Sequence, residues 1–203
     1  MGVKQKRTRY KEEFRREILD AARELFINEG YEKFSMRGLA KKIDYSPTTI
    51  YLYFKDKNEL LHAICEGVAE QFMKKLCHIR SLESKPLDAL RQALLYLIEF
   101  GFDNPNEYKV FFFIRPNGYG TQEEFMERES MTRNSYMEFR KIVQESVEAG
   151  KLRSMDVDLL TQALAVATHG LIVMTTYNKS FPWADRKVLA TALVDGLLRG
   201  YRK

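Results

Sequence analysis

An all-α fold is what this sequence predicts, and three observations support it. Apolar side chains recur at helical intervals of three and four residues, as at Phe14, Ile18, Ala22 and Leu25. Helix-capping residues stand at the ends of such segments. No run of convincing length alternates between apolar and polar residues with turn signals on both sides, which argues against a sheet. The 203 residues, 45% of them hydrophobic, suffice for one large or two small domains with a buried core.

The first three helices are predicted from the residues at their ends. The first spans about residues 11–29 and ends before Gly30, which suits a helix C-terminus. Ser35 is placed to cap a short second helix. Ser46 is placed to cap a third helix, with Pro47 at the first helical position, where its missing N–H costs nothing.

The remaining helices follow from the same kinds of signal. Asp56 and Glu59 form a variant of the capping box at the start of a long fourth helix. Thr121 and Glu124 form another, for a long helix that ends at Gly150. The predicted total is about nine helices in an all-α arrangement, without internal repeats. The other predicted segments are 86–103, 108–114, 156–177 and 184–201.

The segment SPTTIYLYF, residues 46–54, carries the main functional signal. Wound as a helix at about 100° per residue, it places Ile50 and Phe54 on one face and Thr48 and Leu52 on the other. With the helix before it, the segment forms a helix-turn-helix pattern, whose second helix enters the DNA major groove. An exposed leucine fits there, because thymine methyl groups offer it an apolar contact. The alternative is that Leu52 packs against a neighbouring element or is simply a tolerated exposed residue.

Positive charge is concentrated at the N-terminal end. Residues 1–62 hold 14 of the 33 basic side chains and 10 of the 28 acidic ones, a net +4 against +1 for the rest of the chain. Lys4, Lys6, Arg7 and Arg9 form a basic arm, and because no apolar segment follows it, it does not resemble a secretory signal. This distribution favours an anionic partner, nucleic acid before membrane. The alternative is a solubilising tail.

The expected location is the cytoplasm, without membrane association. The longest weakly polar run, Ala163–Met174, falls short of the roughly 18 residues that a membrane span needs. The two cysteines, Cys65 and Cys77, are too few for a disulfide framework, which favours a reducing compartment.

Dense motifs run from Phe14 to Leu61, including ARELFINEGYEKFSMRGLAKKIDYSPTTIYLYFKDKNELL. LF-x3-GY-x3-S/T ends the first helix, LA lies in the second, TxYxxF in the third, and F-K-x-K-x-E-L joins the third to the fourth. This stretch resembles the N-terminal domain of the tetracycline-repressor (TetR) family of transcription regulators. The resemblance implies a helix-turn-helix DNA-binding domain over residues 1–62 and a helical effector-binding and dimerisation domain over residues 63–203. The implied function is that of a repressor released from a near-palindromic operator by a small, mostly apolar effector.

The resemblance also implies which residues contact DNA. The position of Arg37 reaches base edges or phosphate in the family, and those of Tyr53 and Lys57 meet phosphate. Two positions depart from the family pattern: Gly38 stands where a better helix former is usual, and Leu52 replaces a residue that frequently forms hydrogen bonds. The predicted DNA contacts are Ser35, Arg37, Ser46, Pro47, Thr48, Thr49, Tyr51, Leu52, Tyr53, Lys55 and Lys57.

The second predicted domain contains candidates for an effector pocket. The aromatic run YKVFFFI, residues 108–114, and further aromatic and soft side chains surround a few polar groups, a composition that suits a mostly apolar ligand. His169 could orient a ligand or bond to a backbone carbonyl, and Arg115 could receive a ligand carboxylate. The same composition suits an ordinary core, and both interpretations remain open. The predicted pocket residues are Phe112, Arg115, Met126, Phe139, His169 and Tyr177.

Metal and catalytic sites have little support in the sequence. Glu59-x-x-His62 has the spacing of one di-iron ligand pair, but no second such motif exists. His62 and Cys65 would lie about 18 Å from Cys77 and His78 on one continuous helix, too far apart to share a zinc ion. No Ser/His/Asp arrangement stands out. We therefore expect no metal, no cofactor and no enzymatic activity.

A homodimer is expected, because near-palindromic operators are read by two-fold proteins whose recognition helices enter successive major grooves. The apolar faces of the last two helices would form a four-helix interface between two chains. Effector binding would shift the fourth helix and change the spacing of the two recognition helices. The alternatives are a helical enzyme or small-molecule carrier that reuses the fold, and a DNA binder that needs no ligand.

Overall fold

The computed structural model of the chain describes residues 3–114 and 121–203. Those residues form ten α-helices and one 3-10 turn, and their only sheet-like pairing is an isolated bridge between Leu152 and Arg202. This confirms the all-α prediction. The elements are α1 (Val3–Glu29), the 3-10 turn η1 (Tyr31–Lys33), α2 (Met36–Lys42), α3 (Pro47–Tyr51), α4 (Lys57–Leu82), α5 (Pro86–Asp103), α6 (Pro105–Phe113), α7 (Gln122–Glu127), α8 (Met131–Glu148), α9 (Val157–Tyr177) and α10 (Arg186–Tyr201).

The predicted caps of the N-terminal helices are confirmed. The Ser35 hydroxyl accepts a hydrogen bond from the backbone N–H of Gly38 at 3.0 Å and so begins α2. The Ser46 hydroxyl accepts one from the N–H of Thr49 at 3.2 Å and begins α3 with Pro47 at its first position. These side chains satisfy N–H groups that the helices leave unpaired, and they fix where each helix starts.

The structure differs from the predicted helices most clearly in two places. The single long helix predicted from Thr121 to Gly150 is wrong, because the chain there forms α7 and α8. Ser130 separates them in an extended conformation, with φ −150° and ψ 154°, and its hydroxyl accepts a hydrogen bond from Arg133 N–H at 3.1 Å. At the N-terminus, α1 begins at Val3 instead of near residue 11, so the predicted basic arm is helical where the structure describes it.

The first of two compact units comprises the described residues of Met1–Val68 and Asn106–Phe125. Its core includes Val110 from α6, with Phe111 packed against it. Apolar side chains of α6 are thus buried in the N-terminal core, and the predicted boundary at residue 62 between a DNA-binding and an effector-binding domain stays a prediction. The largest fully buried side chains of that core are Ile18, Phe26, Leu39, Ile50, Phe54, Leu60 and Leu61.

The second unit comprises the described residues of Ala69–Pro105 and Met126–Lys203. Helix α5 packs against α8, α9 and α10. Gly101 allows α5 to approach α9 closely, since a Cβ at that position would lie 2.6 Å from the Ile172 side chain. The helices of this unit therefore share one core around α5.

Helix α9 is unusually apolar for a helix that packs on one side only. By length and composition it could cross a membrane, which the interrupted run Ala163–Met174 had not indicated. Leu160, Leu164 and Ile172 are buried within the second unit, but only 28% of its most apolar window is buried. A wide apolar face is thus left on the surface of a helix that also carries core residues.

Candidate nucleic-acid interface

A tight turn sets the angle between α2 and α3. Asp44 has a φ of 58°, in the left-handed region that few side chains other than glycine adopt. The next residue, Tyr45, donates its N–H to the carbonyl of Ala40 at 2.9 Å and ties the turn back to α2. Ala40 and Ile50 are both completely buried in the same core cluster, so α2 and α3 meet closely. This arrangement is the helix-turn-helix that the sequence predicts.

The recognition segment has the two faces that its sequence indicates. Ile50 and Phe54 have no exposed surface, whereas Leu52 is 79% exposed and Tyr51 48% exposed. Thr48 is exposed as well. The interpretation that Leu52 packs against a neighbouring element is therefore wrong, and a large apolar side chain projects into solvent at the end of α3.

The other predicted contacts divide into free and engaged side chains. Arg37 and Lys55 are exposed, and Pro47 is half-buried. The hydroxyls of Ser46 and Thr49 lie 2.9 Å apart, so both take part in the cap of α3. Their role towards DNA stays a prediction, as does that of Ser35, whose hydroxyl caps α2.

Lys57 forms contacts that the sequence does not predict. Its Nζ donates hydrogen bonds to the carbonyls of Tyr31 at 2.9 Å and Phe34 at 3.1 Å, and it lies 3.8 Å from the centroid of the Tyr31 ring. Burial lowers the pKa of this ammonium group below its usual value. Lys57 therefore connects the start of α4 to the segment between α1 and α2, and a contact from it to phosphate stays a prediction.

A tyrosine and an arginine beside α3 were missed by the sequence reasoning. Tyr45 packs on Phe14 of α1 with a centroid distance of 4.5 Å, and Tyr53 packs on the same ring at 5.0 Å. The Arg15 guanidinium lies 4.7 Å from the centroid of the Phe54 ring. Helical periodicity could have indicated these contacts, because Phe14 is the first residue of the buried stripe of α1 and Arg15 is the next residue in the chain. These contacts place α1 next to the turn and the end of α3.

The candidate effector residues are distributed over both units. Phe112 lies in the first unit, half-buried, with its ring centroid 4.9 Å from that of Tyr108. Phe139 is buried in the second unit, whereas Met126 and Tyr177 of that unit are exposed. Whether any of them binds an effector stays a prediction.

His169 is the most perturbed of the candidate effector residues. It lies on α9, two turns before Tyr177, and burial lowers its pKa to about 4. The imidazole is therefore neutral at neutral pH and can donate through one nitrogen while it accepts through the other. Arg115, the other polar candidate, lies outside the described residues.

The possible metal ligands on α4 remain far apart. Helix α4 is continuous from Lys57 to Leu82, so the positions of Cys65 and Cys77 are separated by about 18 Å along it. The Glu59 carboxylate accepts a hydrogen bond from the N–H of Lys55 at 2.7 Å, as part of the cap of α4. In the ranges that the structure covers, no three His, Cys, Asp or Glu residues are grouped to hold a metal ion.

Comparison with known protein families identifies the N-terminal helices. Residues 18–64 match the model of bacterial regulatory proteins of the tetR family. The N-terminal helices of this chain are therefore similar to those of the tetR family. That match covers α2 and α3 completely, together with residues 18–29 of α1 and 57–64 of α4.

Relatives of this chain include curated HTH-type transcriptional regulators of Staphylococcus aureus. Those of strains bovine RF122 and USA300 are 30% identical over 92 residues, which is 45% of this chain and 50% of theirs. The chain thus matches about half the length of these relatives.

Solved structures share the fold over nearly the whole chain. A TetR family transcription regulator from Marinobacter aquaeolei has a TM-score of 0.72 at 18% identity and covers 97% of this chain and 99% of its own. FadR from Bacillus subtilis, solved with stearoyl-CoA, has a TM-score of 0.74 at 20% identity, covering 91% and 98%. RolR, solved with resorcinol, has a TM-score of 0.67 at 20% identity, covering 96% and 90%.

Proposed function

We propose that this chain is a DNA-binding transcriptional regulator that represses by binding a near-palindromic operator and leaves it when a small, mostly apolar effector binds. The observation that carries this proposal is the face of α3 opposite the core, where Leu52 projects into solvent while Ile50 is completely buried. An apolar side chain on an exposed recognition helix is favourable when the surface that it meets is the floor of the major groove.

The proposed readout assigns different tasks to the residues around α3. Thr48 and Leu52 face base edges, where a hydroxyl can donate or accept and an apolar group can contact a thymine methyl. Arg37 precedes α3 in the sequence and Lys55 follows it. Both side chains are exposed and suit phosphate contacts. Phosphate contacts would position the helix, and the base contacts would supply the sequence preference.

A homodimer would bury the apolar face that α9 leaves in solvent. On α9, Val166 is 71% exposed, and Leu159, Met174 and Tyr177 are also exposed although large and apolar; Val188 of α10 is exposed as well. Contiguous apolar surface of this kind marks protein interfaces. Two copies meeting through α9 and α10 would form an isologous interface, and the dimer would match the two half-sites of an operator.

The effector is proposed to bind in the second unit, near aromatic side chains and the neutral imidazole of His169. FadR and RolR were solved with stearoyl-CoA and resorcinol, two ligands of very different size. The fold alone therefore does not define the effector of this chain. To act as a switch, the effector must bind the DNA-free state more tightly than the DNA-bound state.

The alternatives make different predictions for one experiment. Genomic fragments from the source organism are incubated with the full chain, the bound fragments are sequenced, and the best is footprinted. A regulator that acts in the cytoplasm should protect a defined, near-palindromic site. A ligand-independent architectural binder would give diffuse protection, and a helical enzyme or carrier would select no fragment at all.

A further inference from the structure

We propose that the N-terminal extension of α1 is a second DNA-binding element, in which Arg7 and Lys11 contact backbone phosphates beside the site occupied by α3. This proposal rests on the proposed function, because it assumes that α3 enters a major groove. It adds a separate surface of α1, one that the helix-turn-helix itself does not include.

The first argument is the register of α1. Arg7 and Lys11 precede Phe14 and Ile18 by seven residues each, so all four lie on one stripe of the helix. Phe14 and Ile18 are buried in the core, whereas Arg7 and Lys11 are exposed. The stripe therefore changes from apolar to basic at the point where α1 extends past its own core, and the side that faces the helix-turn-helix becomes cationic.

The second argument is where the extension begins. Phe14 contacts Tyr45 in the turn before α3 and Tyr53 just after it, with centroid distances of 4.5 and 5.0 Å. Arg15 lies over the Phe54 ring at 4.7 Å. The basic part of the stripe thus starts beside both ends of the recognition helix, on the unit that carries it.

The third argument is that charge is sorted between the faces of α1. Glu13, Glu17, Asp20 and Glu24 follow one another at intervals of three and four residues and form an acidic stripe. Arg9 belongs to that side, and its Nε donates to Glu13 at 2.7 Å. Among the described residues, no carboxylate lies within ion-pair distance of Arg7 or Lys11. The charges of Arg7 and Lys11 are therefore available to an external anion, whereas Glu24 of the acidic stripe is paired with Lys42 of α2 at 3.0 Å.

The fourth argument is reach. Residues 3–13 are helical and precede Phe14, so the extension is about 16 Å long at 1.5 Å per residue. Duplex DNA carries one negative charge per about 1.7 Å of its axis. A helix of this length, continuous with the buried part of α1, is long enough to reach phosphates outside the base pairs that α3 reads.

The test uses two variants with the same loss of charge on different sides of the helix. Arg7→Gln/Lys11→Gln removes the proposed contacts, and Lys6→Gln/Arg9→Gln is the matched control; glutamine preserves helix propensity in both. Affinity for the selected operator is measured across salt concentrations. We expect the first variant to bind at least about 10-fold more weakly, with a salt slope reduced by about 1.8 per protomer, and the control to change far less. On a duplex trimmed to the base pairs under α3, the difference between the variants should disappear.

Each other outcome overturns the proposal. If wild type and Arg7→Gln/Lys11→Gln have equal affinity and equal salt slope, this face does not contact DNA. The same conclusion follows if the control variant loses as much affinity. In both cases a protected operator would still support the proposed function. If wild type protects no site, both fail together. If Arg7→Gln/Lys11→Gln loses binding to vesicles of anionic phospholipid but keeps its operator affinity, the basic face serves a membrane surface.

Discussion

Arg23 of α1 and Glu107 of α6 form an ion pair in which the carboxylate is almost entirely buried, with 5% of its side chain exposed. Asn106 adds a hydrogen bond from its Nδ2 to the carbonyl of Ile27 at 2.5 Å. Both contacts lie within the first compact unit. Helix α6 is therefore bound to the helices of the N-terminal core by polar contacts as well as by the buried side chain of Val110.

Arg23→Ala should destabilise the first unit by about 3 kcal/mol, because it leaves a buried carboxylate without its cation. The double variant Arg23→Met/Glu107→Met should recover most of that loss, since apolar groups of similar size replace both charges. Urea unfolding of both variants measures this. Arg9→Ala, at an exposed pair, is the control and should cost less than about 1 kcal/mol. Equal stability of Arg23→Ala and Arg9→Ala would contradict this account.

Lys57→Ala should lower stability as well as DNA affinity. It removes two hydrogen bonds to the carbonyls of Tyr31 and Phe34, so an unfolding free energy about 1–3 kcal/mol lower is expected. Lys55→Ala is the matched control, because its exposed side chain should change stability by no more than about 0.5 kcal/mol. Denaturant titrations measure both, and a Lys57→Ala protein as stable as the control would mean that these hydrogen bonds contribute nothing.

Val166→Glu should convert a dimer into monomers, because it places a carboxylate in the centre of the apolar face of α9. Sedimentation of wild type, this variant and Leu82→Glu measures the assembly state. Leu82 is comparably exposed, at 69%, on a different helix, and its variant should remain dimeric. A monomeric wild type would contradict the proposed interface. A Val166→Glu protein that sediments as wild type does would contradict it as well.

Stability should fall as the pH is lowered from about 6.5 towards 4 because of His169. Its pKa of about 4 in the folded chain lies below the ordinary 6.5, so the unfolded chain takes up a proton that the folded chain does not. Above pH 6.5 His169 does not lower the free energy of unfolding, and at pH 5 it lowers it by on the order of 2 kcal/mol. His169→Gln should abolish this loss. The free energy of unfolding of wild type and His169→Gln, measured at pH 7.5 and pH 5, tests this prediction. An identical decrease in stability in the two proteins would assign the effect to another group.

That pH window separates His169 from the paired carboxylates of the second unit. Arg140 lowers the pKa of Asp158, and Arg91 lowers that of Asp195, through hydrogen bonds at 2.6 Å in each pair. A carboxylate whose pKa is lowered by folding stabilises the folded chain at pH values above its pKa in the unfolded chain. This contribution is lost only as pH falls below about 4. Measurements at pH 5 and above therefore report mainly on the histidine.

The sequence predicted most reliably those features that depend on local chemistry. Ser35 and Ser46 cap helices through N–H groups three residues away, so their role is visible in the sequence alone. The burial of Ile50 and the exposure of Leu52 follow from helical periodicity. The break before α8 was missed because Ser130 stands among good helix formers, without a glycine or proline to mark the end of α7.

Features that depend on tertiary contacts could not be predicted in the same way. The direction of the Lys57 side chain is determined by carbonyl groups 23 and 26 residues earlier. The inclusion of α6 in the first unit depends on a pair that joins Arg23 to a residue 84 positions later. No periodic pattern in either segment indicates its partner, and only the folded chain brings these groups together.

The central claim is that the exposed face of α3 reads DNA, and the affinity of Leu52→Glu for the selected operator tests it most directly. A carboxylate at this position would enter the negative potential of the major groove and lose the apolar contact. We expect at least about a 100-fold loss of affinity with unchanged stability, and less than about a twofold loss for Leu82→Glu. Operator binding by Leu52→Glu equal to that of wild type would contradict the claim.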